Sequence, residues 1–277
     1  MGLVSGSASG GGRPGGQWFP PEWPERIRAL ARGELTPVVP RVAATVLLLR
    51  DGADGLEVFL LRRRLSMAFA GGAHAFPGGA MEPGDESVRY TAARELFEET
   101  GVLLAAPAAE PGRLVAEAVT EGDPPPFGEL LARRGLVARG DLLGAWARWI
   151  TPEFEARRYD TWFFVAALPP GQRARNASTE ADHTGWLPPA LAIARYERRE
   201  LLMMPPTVAT LRRLLPHRTV AAALAEAAAG GDPEPVLARA RLVGDEVVLS
   251  WPGYEEFEKR LPREPTAGGE ESGERTR

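Results

Sequence analysis

The sequence predicts an α/β fold of the α+β kind, a mixed central sheet between two helical layers with additional helices towards the C-terminus. Two apolar runs of strand length carry that expectation, Val42-Ala-Ala-Thr-Val-Leu-Leu-Leu49 and Asp160-Thr-Trp-Phe-Phe-Val-Ala-Ala-Leu168. Both are near-continuous rather than alternating, as strands buried on both faces require. The third observation is that helical segments recur around these runs, at 85–101, 127–134, 189–199, 207–215 and 220–229.

The chain of 277 residues is long enough for one substantial core. On this reading residues 17–260 form a single domain, with a helical insertion around 107–150 and a helical extension after 190. The Gly/Ser-rich residues 1–16 and the charged, Gly-containing residues 261–277 read as disordered tails. After the first apolar run, Gly52–Gly55 supplies a turn and Leu56–Leu61 returns as a second strand, a hairpin. In the insertion, Arg113–Val119 and Phe127–Arg134 read as helices and Trp146–Ile150 as a strand. A short strand ends at Trp186-Leu187, and Val236–Leu242 with Glu246–Trp251 read as a terminal hairpin across Gly244-Asp245.

A formal net charge of −4 offers no basic stripe, so nucleic acid is not an expected partner. The chain has no cysteine, which excludes disulfides, thiolate metal sites and cysteine nucleophiles. No apolar run approaches the ~20 residues of a membrane span, and the N-terminus has no basic-then-apolar pattern. The expected setting is cytoplasmic, with no membrane partner.

The most informative stretch is Phe76-Pro-Gly-Gly-Ala-Met-Glu-Pro-Gly-Asp85, followed by Thr91-Ala-Ala-Arg-Glu-Leu-Phe-Glu-Glu-Thr-Gly-Val102. A Gly-Gly turn leads into a helix that stops at Gly101. Glu95, Glu98 and Glu99 stand at i, i+3 and i+4, so they project from one helix face. Like charges at that spacing oppose helix formation. A hard divalent cation, Mg²⁺ or Mn²⁺, is the natural counter-charge for such an oxygen cluster. The Gly78-Gly79 turn can add a backbone carbonyl, making Gly79 a further metal-ligand candidate. Arg94 can pair with a glutamate one turn away and orient it.

Gly79, Asp85 and Arg94-Glu95-Leu96-x-Glu98-Glu99-x-Gly101-Val102 together resemble the signature of the Nudix hydrolases. The intervening spacing is one residue longer than the usual box, so either Asp85 or Glu86 fills its first acidic position. The extra residue and the Gly72-Ala-His-Ala-Phe-Pro-Gly-Gly79 stretch resemble the coenzyme A branch, although Ala70-Gly-Gly-Ala73 replaces the His-x-Gly-Gln often found there. The resemblance implies a Nudix-type α/β/α sandwich. It also implies Mg²⁺-dependent hydrolysis of a nucleoside diphosphate derivative, foremost coenzyme A or acyl-CoA. Adenosine 3′,5′-bisphosphate and a phosphopantetheine would be the products. Another ADP-ribose-type or dinucleotide substrate is the alternative within the same chemistry, and a non-catalytic ligand-binding regulator the alternative outside it.

The resemblance further implies an acidic residue from a later loop as general base or last metal ligand, with Glu180 the first candidate and Asp182 the second. Glu95 and Glu98 complete the catalytic set, and Asp85 supports Arg94. For the substrate, Arg62, Arg64 and Arg158 are the expected phosphate contacts, and Phe76 and Gly78 border the turn. Arg62–Arg64 reads equally well as a solvated cluster, since alternate strand residues point opposite ways. His74 reads as a packed residue or a substrate contact; His183 and His217 carry no functional signal. Residues 107–150 could serve as a lid, a specificity wall or a homodimer contact.

Overall fold

The computed structural model describes residues 22–66, 71–116, 125–244 and 246–261. The two expected tails, apart from Leu261, lie outside these residues, as do Met67–Ala70, residues 117–124 and Asp245.

The chain opens with helix α1 (Trp23–Ala31), which carries Pro24 in its first turn and buries Trp23 and Ile27. Next come strands β1 (Arg41–Gly52) and β2 (Gly55–Arg63), the expected hairpin, and then the short strands β3 (His74–Ala75) and β4 (Gly78–Ala80). Helix α2 (Val88–Thr100) follows, then β5 (Ala105–Pro107), α3 (Phe127–Arg134), β6 (Leu136–Ala138), β7 (Gly144–Ile150), β8 (Tyr159–Ala167) and β9 (Ala181–Leu187). Helices α4 (Pro189–Glu197), α5 (Pro205–Leu214) and α6 (Val220–Gly230) precede β10 (Pro235–Leu237), β11 (Arg239–Val243), β12 (Glu246–Ser250) and β13 (Lys259–Leu261).

The main sheet runs β10-β7-β8-β1-β2, with β9 and β3 on β2 and β4 on β1. It is mixed: β8 lies parallel to β1, whereas β2 and β4 are antiparallel to it. β1 shows why its sequence is apolar throughout. Val46 and Leu48 pack on the side of α2 and α3, while Leu47 and Leu49 join the core formed with α4, α5 and α6. The expected sandwich is the observed one.

One detail of strand pairing shapes the site. β1 and β2 pair only from Leu49–Gly52 to Gly55–Val58. Beyond that they part: Ala43–Thr45 of β1 takes β4, and Leu61–Arg62 of β2 takes β3. The two short strands, joined through Phe76-Pro77, occupy the gap, and the Val46 N–H donates to the Pro77 carbonyl at 2.8 Å.

Three expectations change. Residues 113–116 are not helical, because the Val115 backbone is bonded elsewhere, its N–H to the Ala105 carbonyl (3.1 Å) and its carbonyl to Gln172 Nε2 (2.7 Å); the rest of that expected helix lies outside the described residues. The insertion instead holds a two-stranded β5–β6 ribbon around α3. The terminal hairpin begins at Arg239, since Val236 and Leu237 pair with Trp149 and Ile150 in the main sheet. A third strand, β13, completes that small sheet.

Candidate active site

α2 is fixed at both ends. The Ser87 hydroxyl accepts the Tyr90 N–H at 3.1 Å, and Gly101 closes the helix at φ 73. Ala92, Ala93, Leu96 and Phe97 are fully buried against the sheet. The small alanine pair lets the helix approach β1 and β4 closely, which sets the glutamate face against the Gly78-Gly79 strand.

Glu99 Oε2 accepts the Gly78 N–H at 2.8 Å. Both glycines make close approaches, Gly78 to backbone and Gly79 to a side chain. A Cβ on Gly78 would lie 2.3 Å from the Ala44 carbonyl oxygen, and one on Gly79 would lie 2.5 Å from Glu95 Oε1. Gly79 thus faces the Glu95 carboxylate directly.

Arg94 is the hub. Its Nε donates to Asp85 Oδ1 (3.0 Å) and Nη2 to Asp85 Oδ2 (2.9 Å) and the Ala80 carbonyl (3.0 Å). Nη1 donates to Glu95 Oε1 and Glu98 Oε2, both at 2.9 Å. All five N–H groups of the guanidinium are used. Asp85 also accepts the Thr91 hydroxyl (2.9 Å) and the Glu82 N–H (3.0 Å). The acidic position left open between Asp85 and Glu86 therefore goes to Asp85.

Burial governs the charge states. It pushes the Glu95 carboxyl up to about 7 against the pull of Arg94, and the Glu99 carboxyl up to about 8 against the Gly78 hydrogen bond. Glu98 is raised too, again chiefly by desolvation. Asp85 goes the other way: burial opposes its ionisation, but Arg94, the Glu82 amide and Thr91 together outweigh it.

The expected tight oxygen cluster is not formed. Among the described residues no three acidic or histidine side chains converge as a metal site would require. Glu95 and Glu98 are turned onto Arg94, and Glu99 onto the backbone of Gly78. The donor set nevertheless suits a hard cation. Three carboxylates (Asp85, Glu95, Glu98) share the single Arg94 guanidinium, and burial holds Glu95 and Glu99 partly protonated near neutrality.

Glu180 is brought close by a loop hooked onto the end of α2. The Arg175 N–H donates to the Thr100 carbonyl (3.0 Å) and the Ala177 N–H to the Glu99 carbonyl (3.0 Å). Glu180 is exposed, and its charge is felt at Glu99. Asp182 is not so placed. Its carboxylate accepts from Arg62 Nε at 2.6 Å, which holds it below the usual range.

The other expected contacts do not gather at the glutamates. Strand alternation puts Arg62 with Val58 and Leu60, on the α4–α5 side of β2, while Arg64 follows the end of that strand and its backbone N–H donates to the Glu180 carbonyl at 2.9 Å. Arg63, which the sequence grouped with Arg62 and Arg64 without singling it out, shares the α2 side with Phe59; its charge acts on Glu99, and its buried Nε has no hydrogen-bond partner. Phe76 is 4% exposed and belongs to the core beneath α4–α6, so it borders no open site. Arg158 is buried and spends Nε on the Thr151 carbonyl (3.1 Å) and Nη1 on the Val38 carbonyl (2.7 Å), a structural tie. Hollows of ≈ 300 Å³ beside Leu30 and Phe154 and ≈ 210 Å³ beside Asp54 and His217 lie apart from α2. The charge and geometry at α2, not those hollows, mark the site.

A glycine strand feeding an acidic helix on one face of a mixed α/β/α sandwich defines the Nudix class of fold. Residues 81–214 match the NUDT19 Nudix domain. It is 34% identical over 164 residues to the acyl-coenzyme A diphosphatase NUDT19 of Gallus gallus, covering 50% of this chain and 43% of that protein. The NUDT19 of Xenopus laevis is 27% identical over 157 residues, covering 49% and 41%. The chain thus spans less than half the length of these two relatives. A crystal structure of a Nudix hydrolase from Alicyclobacillus acidocaldarius superposes with a TM-score of 0.60 at 28% identity, covering 68% of this chain and 96% of that one.

Proposed function

We propose that the protein hydrolyses the diphosphate of a nucleoside diphosphate derivative, with coenzyme A or acyl-CoA as substrate and Mg²⁺ or Mn²⁺ as the cation. The observation that carries this reading is the Gly79–Glu95–Arg94–Asp85 chain of contacts beside Glu98 and Glu99. The printed names of the Gallus gallus and Xenopus laevis relatives, both acyl-coenzyme A diphosphatases, support the substrate class.

Glu95, Glu98 and Glu99, with the Gly79 carbonyl, would hold the cation. When bound, it supplies positive charge to the diphosphate oxygens and makes water a better nucleophile. Arg94 holds Glu95 and Glu98 beside one another while Asp85 fixes Arg94, so the two carboxylates would turn towards a cation from a defined starting position. Arg63, on the α2 side and near enough for its charge to act on Glu99, would contact a phosphoryl oxygen. Glu180 is the candidate to accept the proton of the attacking water, since it is exposed and close enough to act on Glu99.

The test is a substrate panel with Mg²⁺: coenzyme A, an acyl-CoA, ADP-ribose and a dinucleotide. The reading expects the highest kcat/KM for coenzyme A or its ester, with adenosine 3′,5′-bisphosphate among the products. Faster turnover of ADP-ribose would replace the substrate class, and no hydrolysis of any member would leave a binding protein.

A further inference from the structure

The pairing of β2 with its two neighbours places His74, Arg62 and His183 side by side. Arg62 is opposite His74 of β3 and opposite His183 of β9. Cross-strand partners share a face, and this is the face of Val58, Leu60 and Leu187, covered further along by α4. Arg62 and His183 are exposed there, and His74 is half-buried with its Nδ1 lacking a hydrogen-bond partner. Arg195 of α4 stands near enough for its charge to act on His74, as do those of Arg62 and His183.

Counter-charge is short on this face. Asp182 lies between Arg62, at 2.6 Å, and Arg64, whose charge also acts on it. Glu200 serves both Arg195, at 3.2 Å, and Arg198, at 2.6 Å. Two carboxylates thus answer four guanidinium groups and two imidazoles, in a chain whose net charge is −4. An anion with several acceptor oxygens would resolve that excess. Arg62 is also the immediate neighbour of Arg63, at the end of β2.

We propose that the His74–Arg62–His183 row, with Arg195 beside it, binds a phosphomonoester of the substrate remote from the diphosphate that is cleaved. The inference rests on the hydrolase reading above and deepens it. In coenzyme A the group is the ribose 3′-phosphate, so the row selects phosphorylated over dephosphorylated nucleotide ends.

Two measurements separate this site from the reaction. Titration of the full chain with adenosine 3′,5′-bisphosphate and with adenosine 5′-monophosphate should show about tenfold tighter binding of the bisphosphate. The difference should vanish in His183→Gln/Arg195→Gln, whose altered side chains are on the surface. Equal affinity for the two nucleotides in the parent protein, or a preference that survives in the double variant, overturns the proposal. In hydrolysis, the kcat/KM ratio of coenzyme A to dephospho-coenzyme A should fall about tenfold in the same variant. Hydrolysis of both compounds at one rate, without discrimination in binding, removes the phosphate site and leaves the hydrolase. A bisphosphate preference in a protein that cleaves neither compound keeps the site and removes the hydrolase.

Discussion

Asp85 and Arg94 form a two-point ion pair, Nε to Oδ1 at 3.0 Å and Nη2 to Oδ2 at 2.9 Å, with side chains only 4% and 9% exposed. The pair ties the loop after β4 to the middle of α2. Because the remaining Arg94 donors reach Glu95 and Glu98, an acid outside the helix orients two acids on it.

Replacing Asp85 with Ala should therefore be costly, since it leaves a guanidinium buried without its main counter-charge. Removal of one partner from a buried pair typically costs roughly 3–5 kcal/mol. Asp85→Asn, which keeps one acceptor, should cost less. Urea denaturation measures both, and a loss below about 1 kcal/mol for the alanine variant would mean that Arg94 is held by other groups.

The two glycines of β4 should respond differently to alanine. At Gly78 the new Cβ meets backbone, the Ala44 oxygen at 2.3 Å and the Thr45 Cα at 2.7 Å. Neither can yield, and a loss of about 1–3 kcal/mol or more is expected. At Gly79 the obstacle is the end of a side chain, the Glu95 carboxylate. Gly79→Ala should keep nearly full stability while displacing Glu95, with kcat/KM down about tenfold or more. A Gly79→Ala enzyme with unaltered kcat would separate Glu95 from the reaction.

Much of this arrangement is legible in the sequence. The i, i+3, i+4 spacing of Glu95, Glu98 and Glu99 fixes their shared face, and Gly101 fixes the helix end. The phase of Arg62, Arg63 and Arg64 is not legible, for a physical reason. β2 is buried on both faces, so Phe59 and Leu60 are both apolar and no polar alternation marks which side meets α2. Phe76 misleads similarly, because an aromatic residue beside a glycine turn reads alike whether it lines a cleft or fills a core. Arg158 is hidden by its partners: carbonyls at Thr151 and Val38 come from distant segments whose approach only the fold creates. His183 gains its surroundings only through β2–β9 pairing.

Glu98 is the most exposed of the three glutamates, 40% at its side chain, and touches Arg94 alone. Glu98→Gln retains an acceptor for that bond and should leave stability within about 0.5 kcal/mol. If its charge acts in the reaction, kcat should fall by roughly 10²–10³. Steady-state kinetics at saturating Mg²⁺ decides this, and full activity in the variant would place the cation elsewhere.

The raised carboxyls predict an unusual pH dependence for the metal-free protein. Glu95 and Glu99 move from an ordinary 4.5 to about 7 and about 8, chiefly through burial. Between those limits the folded chain binds more protons than the unfolded one, so stability falls as pH rises. The protection given by these groups is complete below about pH 4.5 and is lost as pH passes through 7 to 8. A cation that binds the ionised carboxylates should oppose the loss, because it stabilises only the folded state. Thermal melts of the chelated protein from pH 5 to pH 9 should show Tm declining across this window, with a flatter profile in millimolar Mg²⁺. Glu99→Gln should flatten the profile without Mg²⁺, since an amide has no charge to strand. A metal-free profile already flat in the parent protein would show that Glu95 and Glu99 ionise at ordinary pH, and that their burial is relieved by solvent.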